Sequence, residues 1–404
     1  MQDPKVLERM RADWNQRAGE DAYYYVAFGR RGQDEEEFFA TASDVVRALT
    51  AELQRVPSRA AALEIGCGPG RLMRPMAAHF REIHGVDVSD EMIRLAAERL
   101  RDTPNARVHH GGGSDLNMFA AGTFDFVYSY AVFQHIPSRE VVFDYLREAR
   151  RVLKDGGVLR CQVNGLPAHA REYDTWSGVR ISPEEIREFA RRYDLQLLAI
   201  EQIGTQYMWI TCRKRPNGWR ALPRMASSTR PAIRNLTNAV TGEGVAPASG
   251  PMAALSLWVH YLPPECDLLN TRVLADGAEC RVGYIGEPDR EAVTQINASL
   301  PAGVRTGLVP IELHYLGEAL CPPQWMRIMP AAPGVPRIAA VTDGINLLSG
   351  PRILTRTVKV TMLDVTHPET FHATVDGMEA PGIDSFCTDP VALRYEFNFT
   401  LPPR

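Results

Sequence analysis

Leu63-Glu64-Ile65-Gly66-Cys67-Gly68-Pro69-Gly70-Arg71 follows an apolar run, Ala60 to Ile65, and precedes a helix-like segment, Arg71 to Phe80. The stretch therefore reads as a strand, a glycine turn and a helix. A turn with so little side chain lets a small ligand approach the backbone. Its glycines are spaced GxGxG behind an acid, whereas dinucleotide-binding turns are GxGxxG and phosphate loops close on Lys-Ser/Thr. Neither of those endings is present.

Working outward, the chain alternates short apolar runs with amphipathic segments. Strands are predicted at Ala60–Ile65, Glu82–Val86, Ala106–His109, Phe124–Tyr130, Gly157–Asn164, Gln196–Gln202 and Tyr207–Arg213. Helices are predicted at Arg71–Phe80, Asp90–Arg101, Ser138–Leu153 and Ser182–Tyr193, with two more upstream at Pro4–Ala18 and Phe38–Val56. Such alternation implies an α/β doubly wound parallel sheet. The last two strands are separated only by Ile203 to Gln206 and read as an antiparallel hairpin.

At 404 residues, with 45% hydrophobic and 23% charged residues, the chain has material for two or three domains and an ample core. A formal net charge of −4 gives no basic field for nucleic acid or an anionic membrane. Seven cysteines without CxxC or metal-ligand spacing point to thiols in a reducing compartment, and no metal site is expected. No apolar run reaches the ~18 residues of a membrane span and no leader-like segment opens the chain, so a cytoplasmic location is expected.

With Glu64 in front, GxGxG resembles motif I of class I S-adenosylmethionine-dependent methyltransferases. The later pieces come in the same order: Asp87 ends the second strand in His84-Gly85-Val86-Asp87-Val88-Ser89. Then follows Phe124-Asp125-Phe126-Val127-Tyr128-Ser129-Tyr130 with Ala131-Val132-Phe133-Gln134-His135-Ile136-Pro137 trailing it. The resemblance implies a Rossmann-like seven-stranded sheet in the order 3-2-1-4-5-7-6, last strand antiparallel, over residues 1–215, with an N-terminal helical lid. It implies S-adenosylmethionine as cofactor and in-line methyl transfer to a small organic acceptor. The implied cofactor residues are Glu64, Gly66, Cys67, Gly68, Gly70, Asp87, Val88, Met92, Ser114, Asp115, Leu116, Ser129 and Tyr130.

Several of these have a second reading. Asp87 suits ribose hydroxyls or a helix cap, Met92 an adenine face or the core, and Asp115 an adenine edge or its own loop. His135 is the candidate general base, with backbone hydrogen bonding as its other role. Tyr24 and Trp176 are candidate acceptor contacts, drawn from Trp14, Tyr23 to Tyr25 and the segment 166–180, and Arg30 and Arg31 could meet an anion. A protein that senses S-adenosylmethionine without turnover is the alternative to an enzyme.

Beyond Arg213 the texture changes. Residues 216–250 read as a linker, with a short helix near Ile233 to Val240. Short β-branched segments such as Ala254–Leu262, Val304–Leu316 and Thr355–Asp364 then imply all-β sandwich modules at 251–330 and 331–404, the second incomplete. Pro301-Ala302-Gly303-Val304 through Leu316 is similar to TIG-type immunoglobulin-like modules. Ile296 to Pro301 is echoed by Phe397 to Pro402. These modules are available for a protein partner or for dimerisation.

Overall fold

The computed structural model describes residues 4–27, 31–168, 173–221, 229–330, 335–345, 351–389 and 393–402. The chain divides into two units, one of residues 1–195, 206–217 and 346–348, the other of 196–205, 218–345 and 349–404.

Seven strands form the sheet predicted from the alternation: β1 (Ala61–Ile65), β2 (Glu82–Asp87), β3 (Ala106–His110), β4 (Phe124–Ser129), β5 (Leu153–Val163), β6 (Leu195–Glu201) and β7 (Met208–Lys214). Their order is β3-β2-β1-β4-β5-β7-β6, a Rossmann-like arrangement. β1 runs parallel to β2 and β4, and β7 runs antiparallel to β5. Every residue of β1 and β4 is buried, as expected of central parallel strands covered on both faces.

The helices are α1 (Pro4–Ala27), α2 (Glu35–Ala40), α3 (Ser43–Ala51), α4 (Met73–Met76), α5 (Asp90–Arg99), α6 (Arg139–Val152) and α7 (Pro183–Arg192). α1 outruns its predicted end and is kinked at Asp21, where φ and ψ are −171° and 86°. The single helix predicted over Phe38–Val56 is broken instead. An Asp34/Glu37 capping box starts α2 early, and the Thr41 hydroxyl turns back onto the Phe38 carbonyl at 2.6 Å to close it. The predicted helix Arg71–Phe80 is reduced to one α-helical turn and a 3₁₀ turn, because Pro75 lacks the donor that a longer helix needs. Ser89, Ser138 and Ser182 cap α5, α6 and α7, each contributing about 1 kcal/mol. Leu49, Met73, Met76, Ile83, Phe126 and Tyr128 lie at the centre of the buried cluster between sheet and helices.

The second unit is strand-rich. β8 (Ala232–Asn238), β9 (Val245–Pro247), β10 (Ala254–His260), β11 (Thr271–Ala275), β12 (Ala278–Ile285), β13 (Val293–Ser299), β14 (Gly307–Tyr315), β15 (Glu318–Ala319) and β16 (Gln324–Met329) come first. β10 pairs with β8 and β13, and β13 with β12, whereas β14 pairs with β11 and β16. Alternation along β14 buries Val309, Ile311 and Leu313 on one face. The short helix predicted near Ile233 is corrected to a strand: the ladder of β8 with β10 overrides a weak local preference.

Asp267, fully buried, accepts from the Leu197 and Leu269 amides and from Arg220. β17 (Arg337–Asp343), β18 (Thr357–Leu363), β19 (Thr374–Val375), β20 (Met378–Glu379), β21 (Asp384–Asp389) and β22 (Arg394–Thr400) complete the unit, with the order β17-β18-β22-β21. The two echoed segments fall on β13 and β22, each the middle strand of an antiparallel triplet.

Candidate functional site

The carboxyl ends of β1, β2 and β4 and residues of α1 enclose a cleft, at the edge of the sheet where ligands bind in open α/β folds. The glycine turn forms its floor. Gly66 and Cys67 both donate their amides to the Val86 carbonyl, at 2.7 and 3.1 Å, which curls the backbone around the end of β2. Gly66 has φ +73°, and a Cβ there would stand 2.3 Å from Val132 Cγ2. Glycine is thus required by both backbone and space.

Asp87, the last residue of β2, holds the turn from the other side. Its Oδ2 accepts from the Gly68 amide and its Oδ1 from the Ser89 amide, both at 2.9 Å. Burial raises its pKa against those hydrogen bonds. The helix-capping role belongs to Ser89, whose hydroxyl accepts from the Met92 amide at 3.1 Å, so Asp87 is left facing the cleft.

Glu64 is almost fully buried and accepts from the Tyr128 hydroxyl at 2.9 Å. Burial pushes its carboxyl up to about 8, outweighing the Tyr128 hydrogen bond and the nearby Arg71 charge. A carboxyl near 4.5 when unfolded and near 8 when folded binds more protons in the native state between those values. Stability is therefore present below about 4.5 and lost as pH rises towards 8. Glu64→Gln is expected to remove this loss, so that its melting temperature gains on the wild type from pH 5 to pH 8.5. A constant difference across that range would contradict the assignment.

α1 is seated on α5. The Asn15 Oδ1 accepts from the Ser89 hydroxyl at 2.7 Å and the Glu91 amide at 3.2 Å, and Arg11 pairs with Asp90. Ala18, Ala22 and Met92 pack together with Trp14 and Val26 around them. Met10, Trp14, Tyr25 and Val26 thereby become one wall of the cleft.

The opposite wall is the segment after β4. Tyr130, Ala131, Val132, His135 and Ile136 line it, with Tyr145 of α6 behind. His135 Nδ1 lies 3.2 Å from the Trp176 carbonyl. A carbonyl only accepts, so Nδ1 carries the proton and Nε2 keeps its lone pair. Burial, reinforced by Arg17, lowers the His135 pKa to about 4. The imidazole edge meets Trp14 at 5.5 Å, and Arg17 stands over Trp14 and Trp176 at 4.8 and 5.6 Å while donating to Thr175.

Of the residues singled out in the sequence, the cleft gathers Glu64, Gly66, Cys67, Gly68, Asp87, Val88, Met92, Tyr130 and His135. Trp14 and Tyr25 line it too, and the others stand outside its lining. Gly70 faces Leu100, and Ser129 donates its hydroxyl to the Ile65 carbonyl at 2.8 Å. Asp115 accepts from the Asn117 amide within its own loop, Leu116 is buried with its amide on Glu148, and Ser114 is buried. Tyr24 packs under the Arg31 guanidinium, while Tyr25, one position on, reaches the cleft. Trp176 is 51% exposed and contributes its carbonyl to His135. Arg30 lies outside the described residues. Arg71, Val132 and Tyr145 were not legible as site residues; for Arg71 the signal was its place directly behind the third glycine. Among the described residues, no three His, Cys, Asp or Glu side chains gather as a metal site.

Residues 63–161, which contain this cleft's floor and far wall, match the family described as "Methyltransferase domain". The chain carries a class I S-adenosylmethionine-dependent methyltransferase domain. The chain is similar to trans-aconitate 2-methyltransferase of Afipia carboxidovorans, 36% identical over 131 residues, covering 31% of this chain and 47% of that protein. It is also similar to demethylmenaquinone methyltransferase of Bacillus licheniformis, 31% identical over 124 residues, covering 30% of this chain and 52% of that protein. The chain thus spans about half the length of these curated relatives. Among solved structures, phosphoethanolamine N-methyltransferase 1 of Haemonchus contortus, in complex with phosphoethanolamine and S-adenosylhomocysteine, aligns with TM-score 0.41 and 16% identity. That alignment covers 54% of this chain and 51% of that one. S-adenosylmethionine is the cofactor of the methyltransferase domain.

Proposed function

We propose that this chain transfers a methyl group from S-adenosylmethionine to a small organic acceptor by in-line displacement. The observation that carries the reading is the Asp87 carboxylate, tied to the glycine turn and facing the same cleft as His135. When bound, the donor supplies a methyl group already activated on a sulfonium sulfur.

The residues present fit such a group. Asp87 retains acceptor capacity for ribose hydroxyls, in charge-assisted bonds of about 1.5–3 kcal/mol each. Gly66 and Gly68 leave the backbone open, and Val88 and Met92 offer an apolar face for a base. Cys67 is buried and its thiol pKa is raised, so it acts as a small apolar floor. Trp14, Tyr25 and Tyr130 exclude water and orient the acceptor, an alignment worth about 7–11 kcal/mol in favourable cases.

His135 keeps an unprotonated Nε2, which accepts from Gln134 Nε2 at 3.4 Å and would have to exchange that partner to take a proton from the acceptor. Because its pKa is lowered to about 4, it stays unprotonated from pH 5.5 upward. The pH profile of kcat/KM is accordingly expected to show no inflection near 6.5. A rise centred on pH 6.5 that vanishes in His135→Asn would contradict this.

No described helix is long and apolar enough to cross a membrane. We place the protein in the cytoplasm, a reading supported by seven cysteines none of which is joined in a disulfide among the described residues. The strand-rich sheets of the second unit are read as immunoglobulin-like modules that contact a partner or a second copy. Incubation with methyl-labelled S-adenosylmethionine and a metabolite extract tests the enzymatic reading. The expected result is S-adenosylhomocysteine together with one labelled small molecule; binding without any turnover would establish the sensing alternative.

A further inference from the structure

Asp13 and Arg17 stand four residues apart on α1 and so share one face of it. Both reach Thr175, which is 1% exposed. The Thr175 hydroxyl donates to the Asp13 carboxylate, while Arg17 donates Nη1 to the Thr175 carbonyl and Nη2 to its hydroxyl, each at 3.0 Å. The segment gripped in this way is itself shaped to lie on the stretch after β4. Asp174 Oδ1 accepts from the Trp176 and Ser177 amides at 2.8 and 2.6 Å, which forms a local turn. The Gly178 and Val179 amides then donate to the Gln134 and Ile136 carbonyls, both at 2.9 Å. A Cβ on Gly178 would stand 2.5 Å from the Gln134 carbonyl oxygen, so this approach needs a glycine. Its product is the Trp176 carbonyl placed 3.2 Å from His135 Nδ1.

Two bonds hold the His135 ring, and they differ in strength. The bond from Nδ1 is within the usual range, whereas Gln134 Nε2 reaches the other ring nitrogen only at 3.4 Å. The Trp176 carbonyl is therefore the firmer hold, and Arg17 fastens the residue before it to α1. The geometry points to Arg17 as a positioning residue: by clamping Thr175 it keeps the Trp176 carbonyl on His135 Nδ1, and so keeps the ring in the one tautomer whose Nε2 is bare. Its charge acts in the same sense. Burial and the Arg17 guanidinium disfavour a protonated ring, against the backbone hydrogen bonds of Trp176 and Thr175 and the Asp174 carboxylate. This role rests on the methyl-transfer reading given above, and it adds that α1 governs the state of His135 as well as forming a wall of the cleft.

The test is nitrogen-15 NMR of the His135 ring in the full chain from pH 4.5 to 8, with the signal assigned by its loss in His135→Asn. Wild type is expected to show one protonated and one bare ring nitrogen throughout pH 5.5 to 8. Arg17→Met keeps a long apolar stem and loses both fork and charge. It is expected to draw the two nitrogen shifts together as the tautomers mix, and to raise the midpoint by about one unit, so that the protonated share at pH 5.5 grows several-fold. Arg17→Lys keeps the charge and loses the fork; it is expected to mix the tautomers with the midpoint little changed, and it serves if the methionine variant does not fold. Ring signals in both variants that match wild type, or a wild type whose tautomers already mix, would overturn the Arg17 role and leave the donor reading standing. Calorimetry of wild type with S-adenosylhomocysteine separates the two, because failure to bind would overturn the donor reading and this inference with it.

Discussion

Asp87→Ala is expected to weaken S-adenosylhomocysteine binding by on the order of a hundredfold or more, read by calorimetry on the full chain. Two contributions add. The ribose hydroxyls lose a charged acceptor, and each such bond carries about 1.5–3 kcal/mol. The Gly68 amide, 2.9 Å from Asp87 Oδ2, also loses the partner that fixes the turn. Asp87→Asn separates them, because a carboxamide can still accept from an amide while offering the hydroxyls no charge. It is expected to fall between alanine and wild type. Equal binding by all three proteins would remove Asp87 from the donor site.

Gly66→Ala is expected to abolish donor binding and lower the melting temperature. A left-handed backbone at φ +73° costs an alanine about 1–2 kcal/mol. The added methyl would lie 2.3 Å from Val132 Cγ2, too close for any real contact, so the turn or the segment after β4 must move. Both carry the cleft. The double variant Gly66→Ala/Val132→Ala makes room for the methyl and is expected to recover part of the melting temperature, leaving the backbone cost. A single variant that binds and melts like wild type would show that this turn is not closely fitted.

Much of the first unit was legible because its signals are local. Apolar runs bounded by turns gave all seven strands to within a few residues, since central parallel strands are apolar on both faces. The helices predicted at Asp90–Arg101, Ser138–Leu153 and Ser182–Tyr193 stand as α5, α6 and α7, each started by a serine cap with an acid in its first turn. What failed was set by contacts that a linear reading does not contain. Thr41 closes α2 with its own hydroxyl and then holds Arg71 thirty residues away, so one contact both broke a predicted helix and hid a site residue. β8 is a strand because β10 is there to pair with it.

The site divides in the same way. Glu64, Gly66, Gly68 and Asp87 stand at strand ends, where the alternation itself fixes their position. The wall from α1 depends on Asn15 reaching Ser89, and the choice of Tyr25 over Tyr24 depends on the kink at Asp21, neither of which has a sequence signature. His135 was found by its place after β4, but its lowered pKa comes from burial beside Trp14 and Arg17, which only the fold brings to it.

The most direct test of the account is a crystal structure of the full chain with S-adenosylhomocysteine. The expected result has the ribose hydroxyls on Asp87, the backbone of Gly66 to Gly68 against the amino-acid end, and the sulfur facing Tyr130 and His135. S-adenosylhomocysteine bound outside this cleft, or within it with its ribose away from Asp87, would contradict the account.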